Sequence, residues 1–130
     1  MADYTAKKIG DMDTYYKGLF RRARAELGAQ SFGLAFIELE PNADNHPYHD
    51  HASAGQEEVF IVMRGAGEME VEGERFPIDP ETVVRVGPEA KRRIHPGPEG
   101  MRLVAIGGVP GQAYEPPGYT EVGAEDPLAD

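Results

Sequence analysis

Three of the four histidines in the chain lie within residues 46–51, which read HPYHDH. In an extended segment, residues two apart point to the same face. His49 and His51 can therefore direct two imidazoles at one point, with Asp50 on the opposite face. Imidazole suits zinc, iron, copper and nickel, so the pair predicts one half of a transition-metal site.

A carboxylate ligand can come from the next predicted strand, which begins at residues 56–59 (QEEV). Two histidines and one carboxylate form a metal-binding face that leaves positions open for water, substrate or dioxygen. Adjacent strand residues point to opposite faces, so only one of Glu57 and Glu58 can join the histidines. Strand parity alone does not choose between the two glutamates across the intervening loop.

This pattern resembles the first motif of the cupin superfamily, in which H-x-H is followed by a short gap, a glutamate, six residues and a glycine. The chain has His49 and His51, six residues, Glu58, six residues and Gly65, and the resemblance covers residues 32–107. The gap before Glu58 is slightly longer than usual, as a loop insertion would make it. The resemblance implies that His49, His51 and Glu58 bind a divalent transition metal, which would be iron, manganese, zinc or nickel.

The second cupin motif usually supplies a fourth ligand, a histidine, and here the chain departs from the pattern. Residues 84–92 (VRVGPEAKR) align with that motif and place Arg92 at the position of the histidine. Arginine stays protonated and does not ligate metals. A guanidinium about 5 Å from a divalent ion would repel it by roughly 7 kcal/mol at an effective dielectric near 20. Arg92 would then either turn aside, leaving three ligands, or pair with Glu58 in place of the metal.

Three other side chains, those of His46, Tyr48 and His95, are candidates for the same site. His95 lies three residues after Arg92, so a regular strand turns it to the other face and only a bulge would bring it inward. His46 lies in a loop and could substitute as the fourth ligand. Tyr48 is expected to line the substrate pocket. Arg92 itself is either a surface charge or an inward clamp, since its fork matches a carboxylate or phosphate with two hydrogen bonds.

Short strands separated by glycine- or proline-containing turns must position these residues. The predicted strands are 32–39, 59–63, 68–72, 75–78, 82–86, 92–95 and 101–106. Such a series predicts an all-β sandwich or closed barrel. The resemblance narrows this to a double-stranded β-helix, the jelly-roll barrel, and implies a homodimer.

One helix is predicted before the strands, over residues 14–27. Its evidence is an apolar stripe in which Tyr15, Leu19, Ala23 and Leu27 recur at every fourth position. The segment 110–130 is rich in proline, glycine and acidic residues, and we name it the C-terminal strap. The chain is expected to form one domain over residues 1–130, with its barrel core at 32–107.

The net charge of the chain argues against some classes of binding partner. Thirteen basic residues against 23 acidic ones give a net charge of −10, which disfavours nucleic acid and anionic membranes. The basic clusters at 21–24 and 91–93 are interpreted as solvated surface. The chain has no cysteine, no long apolar run and no signal-peptide pattern, so a cytoplasmic location is expected.

Two functions remain open from the sequence. One is a metal-dependent cupin enzyme, an oxygenase or isomerase, in which Arg92 orients a small anionic substrate. The other is a non-catalytic, metal-free cupin that binds a small acidic molecule through Arg92. The fold does not choose between them, because this barrel supports many functions.

Overall fold

The computed structural model describes residues 2–128, which form a mostly β structure. The strands are β1 (Thr14–Tyr15), β2 (Phe20–Arg21), β3 (Gly33–Leu39), β4 (Glu57–Val71), β5 (Glu74–Ile78), β6 (Val83–Val86) and β7 (Arg92–Gly108). The helical segments are α1 (Ala23–Leu27) and two single turns at Ile9–Asp11 and Gly118–Thr120. The predicted all-β jelly-roll fold is confirmed. None of the helices within residues 2–128 has the length and apolar character needed to cross a membrane.

The two longest strands, β4 and β7, organise the barrel. They pair antiparallel over most of their length, with register shifts near the middle of β4, between Val62 and Arg64 and between Gly65 and Gly67. The first half of β4 lies between β6 and the second half of β7. The second half of β7 also pairs with β3, β3 pairs with β2, and β2 pairs with β1. The second half of β4 lies between β5 and the first half of β7. Both long strands therefore bend at the shifts, and the sheet folds around a core.

Strand alternation places the core side chains and the polar residues beside them. Phe60 and Val62 point inward from β4 and are buried, and Glu58 shares their face. On β7, Ile94 is buried in the same core cluster and Arg92 shares its face. The strand pattern thus carries one acidic and one basic side chain into the barrel.

The predicted helix over residues 14–27 is wrong for most of its length. Residues 14–21 form the β1–β2 hairpin, and α1 covers only Ala23–Leu27. The turn residues Tyr16, Lys17 and Gly18 have φ values of 56°, 53° and 91°, which no continuous right-handed helix allows. The apolar stripe reflects burial rather than a helix, since the hairpin also buries Tyr15 and Leu19.

The C-terminal strap crosses back over this hairpin. The Asp126 carboxylate accepts hydrogen bonds from the backbone N–H groups of Tyr16 and Lys17 at 3.0 and 2.9 Å. The Arg24 guanidinium pairs with Glu121 at 2.5 Å. The Tyr119 ring lies 5.5 Å from the Tyr15 ring, centroid to centroid. The strap and the hairpin together form one wall of the barrel mouth.

Candidate metal centre

The segment that carries the histidines lies beside the start of β7. His49 N–H donates to the Arg92 carbonyl at 3.1 Å, and Arg92 N–H donates to the His49 carbonyl at 2.8 Å. Residues paired in this way point their side chains to the same face, so His49 joins Arg92 on the inward face. A further bond from His51 N–H to the Pro88 carbonyl, at 2.9 Å, holds the next part of the segment.

The structure brings His49, His51 and Glu58 together. One potential ligand atom from each residue lies within 4.8 Å of the other two. His51 Nε2 and Glu58 Oε1 are 3.4 Å apart. Ligands on adjacent positions of one metal ion are about 3 Å apart at the usual bond lengths near 2.1 Å. The three side chains are therefore close enough to bind one ion.

The hydrogen bonding of His49 favours the ligand form of its ring. Nδ1 lies 2.8 Å from the Pro47 carbonyl, and since a carbonyl only accepts, Nδ1 carries the proton. Nε2 of the neutral ring is then free to bind a metal, an arrangement common among metal-bound histidines. Burial lowers the pKa of His49, although the bond to Pro47 acts in the opposite direction. The ring thus stays neutral near pH 7.

Two atoms of the cluster are buried without a hydrogen-bond partner. They are His51 Nε2 and Glu58 Oε1, which belong to two of the three clustered side chains and are 3.4 Å apart. An unsatisfied buried polar atom costs about 1–3 kcal/mol, and more if the group is charged. A divalent ion would accept electron pairs from both atoms, so the donor set fits a metal.

Arg92 points inward and lies behind Glu58. Its side chain is 0% exposed, its Nη2 donates to the Gly87 carbonyl at 2.8 Å, and its Nη1 is 3.9 Å from Glu58 Oε1. Nε and Nη1 have no hydrogen-bond partner. Burial lowers the pKa of Arg92, while the Glu58 and Asp50 carboxylates oppose that shift. Arg92 is absent from the walls of the cavities beside the cluster, so it contacts the site through Glu58.

His46 is near the cluster but outside it. It is 1% exposed, and its Nδ1 accepts a hydrogen bond from the Ile94 N–H at 3.1 Å. Its ring centroid is 5.6 Å from that of His49. Burial lowers the pKa of His46 to about 3, and the neighbouring His49 adds to the shift. The structure gives His46 a supporting position rather than the place of a fourth ligand.

Three other predicted residues lie away from the cluster. Glu57 accepts a hydrogen bond from Arg85 at 2.7 Å, on the face opposite Glu58. His95 pairs with Glu70 at 2.9 Å, as the parity of a regular strand requires. Tyr48 is 43% exposed and is not part of the cavity walls.

Two adjoining cavities meet at the cluster. Their volumes are about 340 and 470 Å³, and His51, Glu58, Tyr15 and Tyr119 line both. Small-molecule sites usually have volumes of about 300–1,000 Å³. Open positions on a bound metal would therefore face a space of ligand size.

The sequence interpretation missed several residues of these walls. Tyr15 was assigned to the apolar stripe of a helix, and Arg22 and Arg24 to solvated surface, yet all three are buried and line the larger cavity. Tyr119 reaches the same cavity from the strap. No local spacing signals these positions, because residues about 100 apart in the chain build the wall together.

Comparison with known proteins identifies the fold. No protein-family model matches the sequence, and no curated protein sequence does. A cupin protein from Bacteroides fragilis has a similar structure, with a TM-score of 0.69 and 18% identity over 90% of this chain and 93% of that chain. A protein from Photorhabdus luminescens aligns with a TM-score of 0.65 and 16% identity, over 85% of this chain and 90% of that one. A cupin-2 domain protein from Shewanella frigidimarina aligns with a TM-score of 0.53 and 15% identity, over 72% and 81% of the two chains.

Proposed function

We propose that this protein, which has the cupin fold, binds a divalent transition metal ion through His49, His51 and Glu58. We further propose that the open positions of the ion bind a small polar or anionic molecule in the adjoining cavities. The observation that carries the proposal is that His51 Nε2 and Glu58 Oε1 are buried without a hydrogen-bond partner and lie 3.4 Å apart. His49 adds one ring nitrogen within 4.8 Å of the other ligand atoms, and the bond from its Nδ1–H to the Pro47 carbonyl leaves Nε2 unprotonated.

Iron, manganese, zinc and nickel all suit two imidazoles and one carboxylate. Such an ion would supply Lewis-acid or redox chemistry at its open positions. The chain contributes the surroundings: the bond from His49 Nδ1 to the Pro47 carbonyl fixes the imidazole, and Tyr119 of the strap lines the adjoining cavities. Burial raises the pKa of both Tyr15 and Tyr119, so their phenols stay neutral and can donate hydrogen bonds to a ligand.

Metal uptake tests this proposal. Protein purified without a histidine tag is incubated with iron(II), manganese, zinc or nickel, dialysed, and analysed for bound metal. We expect about one ion per chain for at least one metal, and an affinity roughly 100-fold weaker in His49→Ala, which loses a ligand. His95→Ala is the matched control, because it removes a histidine paired with Glu70 outside the cluster. Metal-free parent protein, or equal uptake by both variants, would contradict the proposal.

The position of Arg92 favours one alternative, a metal-free cupin. Arg92 Nη1 is 3.9 Å from Glu58 Oε1, so a small side-chain rotation would make a buried ion pair in place of the metal. The cavity would then bind a small acidic molecule without catalysis. Thermal unfolding separates the two functions. A metal that binds only the folded protein raises the melting temperature, and the stabilisation grows with the logarithm of one plus the ratio of its free concentration to Kd. An unchanged melting temperature with all four metals would favour the metal-free protein.

A further inference from the structure

Two arginines are buried in the wall of the larger cavity. Arg22 is 3% exposed and Arg24 is 7% exposed, in a chain whose net charge is −10. Both belong to the basic cluster at residues 21–24, which the charge pattern predicts to be solvated surface. Charged side chains are rarely buried to this extent unless they are paired, so their partners show what each guanidinium does.

Arg24 bonds to the protein through both of its terminal nitrogens, one of which holds the strap. Its Nη1 donates to the Ala29 carbonyl at 2.9 Å, and its Nη2 pairs with Glu121 at 2.5 Å. Only its Nε has no partner. Both terminal nitrogens therefore have acceptors from the protein.

Arg22 differs because one terminal nitrogen is left over. Its Nη1 pairs with Asp13 at 2.7 Å, and its Nε donates to the Tyr119 carbonyl at 3.0 Å. Its Nη2 is buried and has no hydrogen-bond partner. A buried donor on a charged group is costly to leave without a hydrogen-bond partner. Arg22 lines the larger cavity, and a rotation of its guanidinium group would bring the buried Nη2 to a ligand atom there.

The same cavity connects Arg22 with the metal cluster. Its lining includes His51 and Glu58 as well as Arg22, in a volume of about 470 Å³. Tyr15 lines it too, and the Arg22 Cζ atom lies 5.1 Å from the Tyr15 ring centroid. A small molecule in this cavity can thus contact both a guanidinium and a metal.

We propose that the larger cavity binds a small carboxylic acid whose carboxylate accepts a hydrogen bond from Arg22 Nη2 and whose other end carries an oxygen donor for the metal. This rests on the proposed metal function and adds the substrate class and the residue that selects it. A monoanion fits better than a phosphate dianion. Asp13 already balances part of the Arg22 charge, and Glu58 and Glu115 also line the cavity.

The probes are dicarboxylic acid monohydroxamates with a spacer of two to four methylene groups. The hydroxamate binds the metal and the carboxylate is free to reach Arg22. The matching primary amides have nearly the same shape without the charge. Calorimetric titration into the cobalt(II)-loaded protein should give a Kd about tenfold or more lower for the best carboxylate than for its amide. The preference should disappear in Arg22→Gln.

Two further variants test whether Arg22 contacts the ligand directly or acts only by holding the strap in place. Glu121→Gln breaks the ion pair with Arg24 while Arg22 is unchanged, so the carboxylate preference should persist in it. Arg22→Lys keeps the charge and loses the fork, and a several-fold weaker preference is expected. It replaces Arg22→Gln if that variant does not fold. The visible cobalt spectrum should be the same in all variants, since none changes a metal ligand.

The outcomes also separate the two proposals. A cobalt-loaded parent without carboxylate preference would overturn this inference and leave the metal site standing. A preference that persists in Arg22→Gln, or is lost equally in Glu121→Gln, would overturn it as well. A parent protein that takes up no cobalt would overturn the metal function and this inference together.

Discussion

At the scale of single residues, the neutral form of the buried His46 stabilises the folded protein. Burial lowers its pKa to about 3, whereas an exposed histidine in the unfolded chain has a pKa near 6.5. Between these values the unfolded chain binds a proton that the folded chain excludes. The stability due to neutral His46 is therefore complete above pH 6.5 and declines as the pH falls towards 3, by at most about 1.4 kcal/mol per pH unit.

His46→Asn tests this assignment. The asparagine Oδ1 can accept the Ile94 N–H bond that His46 Nδ1 accepts now, but the side chain does not titrate. The free energy of unfolding, measured in urea with a chelator present, should depend less steeply on pH in the variant between pH 6 and 4. Equal slopes for the variant and the parent would show that His46 is not the buried group that titrates.

Arg92 is expected to weaken metal binding and stabilise the metal-free protein. Its positive charge lies 3.9 Å from a ligand oxygen of Glu58 and would repel a divalent ion. In Arg92→Met we expect metal affinity to rise at least tenfold, as measured by competition with a chromophoric chelator. Loss of the bond to Gly87 should lower the unfolding free energy of the metal-free protein by about 1–3 kcal/mol.

Arg85→Met is the control for this variant. Arg85 pairs with Glu57 on the outer face, so its removal should change metal affinity little. If Arg92→Met instead binds metal as weakly as His49→Ala, Arg92 is needed to position Glu58 and repulsion is not its main effect.

The three residues that the structure brings together could be named from the sequence, but not by local rules alone. His49 and His51 are two apart and share a face, whereas Glu58 was distinguished from Glu57 only by the resemblance to the cupin motif. The unpartnered Nη2 of Arg22 could not be predicted. Its environment depends on Asp13, on Tyr119 and on a hairpin that the sequence pattern presented as a helix.

At the scale of elements, Gly65 in β4 and Gly73 in the β4–β5 turn differ in how much space surrounds them. Gly65 and Gly73 have similar φ values, 80° and 85°. A Cβ on Gly65 would overlap the Gly100 carbonyl oxygen, whereas a Cβ on Gly73 would meet nothing within 4 Å. Gly73→Ala should therefore cost about 1 kcal/mol of stability for its backbone conformation alone.

Gly65→Ala should cost that amount and a further ~1–3 kcal/mol, because β4 or β7 must shift. Chemical unfolding of the two variants measures the difference directly. Equal losses would show that the strand irregularity at Gly65 accommodates a methyl group. The close approach of the Gly100 carbonyl would then not explain why the cupin motif has a glycine at this position.

Element boundaries were predictable where one period dominates. The strand predicted at 32–39 is found at Gly33–Leu39. Strict alternation over 68–72 followed by Gly73 predicts the β4–β5 hairpin, and Gly73 has a positive φ there. The conformation of residues 14–27 could not be predicted from the apolar period. An apolar residue at every fourth position also fits a hairpin that turns at Gly18, and only tertiary packing decides between the two.

At the scale of the whole molecule, charge is unevenly distributed. The chain carries a net charge of −10, yet Arg22, Arg24 and Arg92 are buried beside the cavities or beside the cluster of His49, His51 and Glu58. The buried guanidinium groups support the proposed binding of a small anion inside the barrel, although the acidic surface repels such a ligand in solution. The homodimer and the cytoplasmic location stay predictions from the sequence.

Crystallographic location of a bound metal tests the account most directly. Crystals of the untagged protein grown with zinc would be measured at the zinc absorption edge. We expect one anomalous peak about 2.0–2.2 Å from His49 Nε2, His51 Nε2 and a Glu58 carboxylate oxygen. No peak at this position, with the Arg92 guanidinium hydrogen-bonded to Glu58 instead, would contradict the metal site.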